Sequence, residues 1–283
     1  MGALRGFIAC SLAAAIALEL AGCSFFTSLD GLREPAAIDD DASSTADDAS
    51  TPPVVGGGDA GAPEAGDGSV GAPPCATLSP APFLCRDFDD GAPIAAGFDG
   101  VTTENGGALT IDADDRRSAP NSLLLVLPSA PSSQVVRAYL GKQLPDAVVR
   151  ISVRMNVRIE RRGGIDKHDI IGFRKSDSRD TTLVVRTNGS LEVEEAVPTN
   201  PVPGLRTPLS FVAPDDWWSL EWEVAISGAV ATSTVRANGV EVGTATTSSE
   251  TFSGGTFLLG DYQTLGLSSE WRTRYDDVVV LVE

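Results

Sequence analysis

The chain has 283 residues, 42% of them apolar and 6% aromatic, and its 39 acids against 21 bases leave a formal charge of −18. Such a length and apolar share suit one large domain with accessory segments, and the acidity disfavours nucleic acid, whose phosphates it repels. With His168 as the only histidine, a histidine-rich zinc centre is excluded, as is a serine triad built on any other base.

At the N-terminus Arg5 precedes an apolar run, Phe7 to Leu18, that is too short to span a membrane and has the form of a secretory signal. It ends in Leu20-Ala21-Gly22-Cys23, which resembles the lipobox of bacterial lipoproteins; Glu19, a charge at the end of the apolar run, departs from that pattern. The resemblance implies a signal peptide over residues 1–22 and a lipidated Cys23 that anchors the chain in a membrane. Ser24, in place of the Asp associated with inner-membrane retention, points to a cell-envelope location at the outer membrane. From Ser24 to Pro74 there are ten acids and one base, and from about Glu34 on the chain is Ala, Asp, Gly, Pro, Ser and Thr with almost nothing bulky to bury. Residues 23–74 therefore read as a disordered acidic tether.

Once Cys10 has left with the signal and Cys23 is lipidated, Cys75 and Cys85 are the only remaining thiols, and outside the cytoplasm they should pair. The chain beyond them reads as strands, with no helical period after Pro74. Strands are expected at 107–112, 122–127 and 135–140. The clearest follows at 149–159, where every odd position is apolar and every even one polar, the period of a sheet with one wet face. Others are expected at 168–173, 181–187, 190–194, 218–226, 231–236, 240–244, 256–259 and 275–282. Asn188-Gly189 and Asn238-Gly239 should turn two hairpins of type I′. The apolar end, Val278 to Val282, must be buried, and its expected partner is the segment Cys85 to Asp90, because sandwiches commonly close by pairing terminal strands.

Four pieces, Asp87-Phe88-Asp89-Asp90, Asp215 to Trp222, Asn238 to Val242 and Tyr275 to Val279, stand in an order that resembles a concanavalin A-like lectin/glucanase domain, the laminin-G-like jelly roll. The resemblance spans residues 75–283 and implies an all-β, two-sheet antiparallel sandwich. It also implies a structural calcium near the paired termini, with Asp277 and Asp89 as ligands; the alternative is that these acids only cap strand ends.

Family 16 glycosidases of this fold carry Glu-x-Asp-x-x-Glu, which is missing here. Glu192, Glu194 and Glu195, and Glu221 with Glu223, read as solvated strand faces, and His168 between Lys167 and Asp169 as a loop residue. Arg150, Arg154 and Arg158 share one strand face; they either bind an acidic polysaccharide, through Arg154 at the centre, or pair with Glu221 and Glu223. Trp218 and Trp222 fall on the core face, so Trp217, Tyr262 and Trp271 are the aromatics left to stack on sugars. The leading expectation is a non-catalytic envelope lipoprotein that binds a glycan or similar polymer. A divergent glycosidase or lyase using Glu192 and Glu194 is the second, and a structural or protein-binding envelope domain the third.

Overall fold

The computed structural model describes residues 75, 78–164, 166–175, 179–196 and 205–283. The expectations for the signal, Cys23 and the tether lie outside these residues. Two antiparallel sheets stack, and among the described residues the only helical elements are short 3₁₀ turns.

The eight-stranded sheet centres on β6 (Arg150–Arg161) and β15 (Trp271–Val282). Beyond β6 lie β11 (Trp218–Ser227), β12 (Val230–Ala237) and β13 (Val240–Ser248), and beyond β15 lie β4 (Ser122–Leu127) and β3 (Ala108–Asp112). The closing pair forms as expected: β1 (Leu84–Arg86) adds to β15 with Leu84 opposite Val280 and Arg86 opposite Val278. Val278 and Val280 are fully buried, so the end of the chain is held on its core face. The seven-stranded sheet runs β10 (Leu205–Val212), β9 (Ser190–Ala196), β8 (Arg179–Arg186), β7 (Lys167–Lys175), β14 (Thr256–Leu265), β5 (Val135–Gln143) and β2 (Gly100–Glu104).

Alternation explains the core. Ile151, Val153, Met155, Val157 and Ile159 of β6 all point inward beside Trp218, Leu220, Trp222 and Val224 of β11. Val149, also expected in this strand, precedes it and is exposed. Phe173 crosses from the other sheet to meet Trp222 edge-on at 5.0 Å, a geometry aromatic quadrupoles favour. Cys75 and Cys85 are bonded, with Cα atoms 5.6 Å apart.

Both hairpins exist, by different turns. Asn238 (φ 51°) and Gly239 (φ 77°) are both left-handed, the type I′ pair. At the other hairpin only Gly189 is left-handed, and its N–H bonds the Arg186 carbonyl at 2.8 Å. That is a three-residue loop, a type I turn closed by glycine, where the dipeptide alone suggests a two-residue turn. Strands β2 and β10 have no counterpart in the sequence reading. Each is a sheet edge and mostly wet on both faces, which erases alternation, and Pro208 is tolerated in β10 because an edge strand need not donate on both sides.

Candidate functional site

The seven-stranded sheet has an outer face, turned away from the core, that is unusually rich in buried polar groups. Asp180, Thr182, Val184 and Arg186 of β8 point there, beside Lys167, Asp169 and Arg174 of β7, Glu192 and Glu194 of β9, Arg206 of β10 and Tyr262 of β14. The carboxylate of Glu194 is only 1% exposed and is clamped by Lys167, by Arg186 at 2.9 Å and by Arg206 at 3.4 Å. Arg186 also reaches Glu192 at 2.6 Å and Asp166. The expected solvated face is thus corrected for Glu194, which is buried, while Glu192 stays partly solvated and shares the same guanidinium, opposite charges on neighbouring strands pairing across the sheet. Glu195, on the other side of β9, accepts a hydrogen bond from the Ser248 N–H.

Beside this clamp lie two buried carboxyls. Burial, joined by repulsion from Asp261, pushes Asp169 well above the usual carboxylate range, and burial likewise raises Asp180. Asp180 has the Tyr262 hydroxyl at its side and the Arg174 Nε at 3.5 Å, yet its Oδ1 has no hydrogen-bond donor. Tyr262 is itself nearly buried, its hydroxyl pushed up by desolvation and by Asp169, while the Arg174 guanidinium lies 5.6 Å from its ring centre.

The remaining expectations fall elsewhere. Trp271 is fully buried, stacked on His168 with ring centres 4.8 Å apart, so it belongs to the core and offers no sugar platform. His168 is not in a loop but inside β7, where Nδ1 sits 2.8 Å from Asp261 Oδ2, the N–H not aimed straight at it, and Nε2 meets the Thr273 hydroxyl at 3.1 Å. Burial disfavours charge on Asp261, but His168 and the Thr264 hydroxyl hold its carboxyl below the usual range. With both rings sealed, this chain of polar groups braces the two sheets. Trp217 is half-buried and its indole donates to Asp115 at 2.9 Å. The arginine stripe is paired: Arg150 with Glu223 at 2.6 Å, Arg154 loosely with Glu221 at 3.6 Å, and Arg158 with Asp115.

Asp89 and Asp277 do come together, at Ser118, whose hydroxyl lies 3.5 and 3.2 Å from their oxygens. Asp276 joins them there, taking the Arg117 and Ser118 N–H groups at 3.0 and 2.8 Å. Burial pushes Asp276 up to about 7 and raises Asp277 and Asp89. The fit to calcium is poor: the carboxylates are turned onto N–H and O–H donors, Asp277 onto Asn156 at 2.8 Å and Asp89 onto the Asn121 N–H at 2.7 Å. Among the described residues no three His, Cys, Asp or Glu side chains converge as a metal would require.

Two stacked sheets, antiparallel throughout, with the first described strand paired to the last, have the concanavalin A-like jelly-roll fold. Solved structures with the same fold include an endo-β-1,4-glucuronan lyase from the fungus Trichoderma reesei, with a TM-score of 0.52 at 15% identity over 66% of this chain and 92% of that one. The cellulose-induced protein Cip1 has a TM-score of 0.50 at 14% identity, covering 70% and 96%. A carbohydrate esterase from the Shiga toxin-encoding bacteriophage phi24B has 0.50 at 12%, covering 71% and 98%. By sequence, no family profile and no curated protein matches the chain.

Proposed function

We propose that the chain is a lipid-anchored envelope module that binds an uncharged, hydroxyl-rich polysaccharide on the outer face of the seven-stranded sheet. One observation carries this reading: Asp180 is a buried carboxyl whose Oδ1 accepts no hydrogen bond and has only the Arg174 Nε near it, at 3.5 Å, on a face turned away from the core. A buried acceptor left unpaired costs about 1–3 kcal/mol, and sugar hydroxyls are donors that remove that cost. Arg174 and Arg206, both well exposed at the rim, supply donors to the sugar's own oxygens. The fold likeness to proteins named as a lyase and an esterase of carbohydrates supports the ligand class by analogy only. The anchor and outer-membrane address rest on Leu20 to Ser24.

Affinity electrophoresis in neutral and acidic polysaccharides tests the reading. The double variant Arg174→Ala, Arg206→Ala should lose retardation in a neutral polymer while still folding cooperatively, its melting temperature lowered only modestly because Lys167 and Arg186 continue to pair Glu194. No retardation of the wild type in any neutral polymer would sink it. Metabolic labelling with a radioactive fatty acid, expected for the wild type and abolished by Cys23→Ser, tests the anchor separately.

The same cluster favours a second reading, an enzyme of polysaccharide cleavage. Proton transfer needs carboxyls whose neutral form is favoured beside a tyrosine, and Asp169 and Asp180, both raised by burial, meet that description better than Glu192 and Glu194, which are tied to Arg186. Release of new reducing ends or unsaturated sugars, lost in Asp180→Asn, would replace the binding reading with this one.

A further inference from the structure

The opposite face of the sandwich has a pocket of about 250 Å³ that the polysaccharide reading does not use. Leu78 and Pro80, inside the loop closed by Cys75 and Cys85, line it together with Val279 and Leu281 of β15, which gives it an apolar wall. Beside Val279 and Leu281 on the same sheet face are Arg154 of β6, the register partner of Val279, and Glu221 of β11, the register partner of Arg154. Their neighbours on this face are tightly bonded, as Arg150 is to Glu223, but Arg154 and Glu221 approach only to 3.6 Å and make no side-chain hydrogen bond among the described residues. Arg154 is 61% exposed, so its guanidinium is open to a second anion. At the far end Asp277 lines the pocket, backed by Asp89 and Asp276. The three carboxyls meet at Ser118, Asp277 taking hydrogen bonds from Ser118 and Asn156, and among the described residues no Lys or Arg pairs with any of them.

We propose that this pocket binds an aliphatic amino acid as its zwitterion, with the carboxylate on Arg154, the ammonium at the Asp277 end and the side chain against Leu78, Pro80, Val279 and Leu281. Each part of the lining then has a use. A guanidinium with free N–H groups matches a carboxylate, often through two parallel bonds. An ammonium offsets the mutual repulsion of the three carboxyls. The wall has aliphatic carbon and no aromatic ring, which suits a branched side chain better than a sugar face. The volume lies just below the usual range for drug-sized ligands, about 300–1,000 Å³, and so fits a small molecule.

Calorimetric titration of the full chain with leucine, N-acetyl-leucine and leucinamide reads the proposal. Leucine should bind with a Kd at or below about 1 mM, and blocking either charge should weaken it at least about tenfold, the effect of losing one charged hydrogen bond. Arg154→Met, on an exposed strand face and expected to fold normally, should abolish leucine binding while retardation in neutral polysaccharide persists. Conversely, Arg174→Ala with Arg206→Ala should spare leucine binding, so this site and the polysaccharide site fail separately. Equal affinity for leucine and both blocked forms, or full binding by Arg154→Met, would overturn the proposal, as would the absence of leucine binding in the wild type.

Discussion

Asp276 shows how a single residue turns burial into a pH dependence. It has no exposed surface, and desolvation outweighs the N–H groups of Arg117, Ser118 and Asp277 that favour its charge, leaving it at about 7 against an ordinary 3.8. A carboxyl raised on folding contributes stability that is complete below its unfolded value and is lost as pH rises through its folded value. Its contribution should therefore fall between pH about 4 and 7, by up to about 1.4 kcal/mol per pH unit for one proton. Asp89, Asp180 and Asp277, all raised, act in the same direction. In urea titrations across that range, Asp276→Asn should have a shallower decline than the wild type; parallel curves would contradict the assignment. Arg186 makes the complementary case. Its removal leaves Glu194 buried with Lys167 and Arg206, and since breaking a buried ion pair costs about 3–5 kcal/mol, Arg186→Ala should lose about 3 kcal/mol in the same assay. Glu192→Ala, whose carboxylate is partly solvated, should lose under about 1 kcal/mol.

At the scale of elements, the Cys75–Cys85 bond closes a short loop that holds Leu78 to Pro80 near β15 and leads into β1. On the chain-entropy account, replacing both cysteines by serine should cost about 2–3 kcal/mol, read as a lower urea midpoint with little change in slope. Strands with one wet face were legible: β6 and β11 announce themselves by alternation, and their arginines and glutamates by the pairing that alternation allows. Strands wet on both faces, β2 and β10, were not, and neither was the reverse case. Strand β8, Arg-Asp-Thr-Thr-Leu-Val-Val-Arg, is buried on both faces, so period 2 gives no hint that Asp180 and Arg186 are covered. The same blindness hid His168 and Asp261: polar residues inside a core are locally indistinguishable from polar residues in a loop, and only pairing across β7, β14 and β15 reveals them. The meeting of Asp89 with Asp277 was expected only through the resemblance to the jelly roll, whereas Asp276 and Ser118 needed the loop's path.

For the whole molecule, the net charge of −18 sets what kind of polymer can approach. Half of that charge lies before residue 75, ten acids against one base between Ser24 and Pro74, so the N-terminal part and the rest of the chain each repel anions. An uncharged polysaccharide meets no such barrier. Raising ionic strength from about 0.01 to 0.15 M shortens the screening length from about 30 to about 8 Å, which relieves long-range repulsion while leaving short hydrogen bonds nearly intact. If the ligand is neutral, affinity should stay within about twofold across that range, since its contacts are made at hydrogen-bond distance inside the last screening length. An acidic polymer would instead bind more tightly as salt is added, until local Arg and Lys contacts are screened in turn. A strong rise in affinity with salt would mean that Arg174, Arg206 and Lys167 are reading an anion against the field of the whole chain, and would move the ligand from neutral glycans to uronates. The two sheet faces make this measurable in one sample, because a leucine titration, with a net-neutral ligand, should report the same affinity at both salt concentrations while the polysaccharide arm is varied.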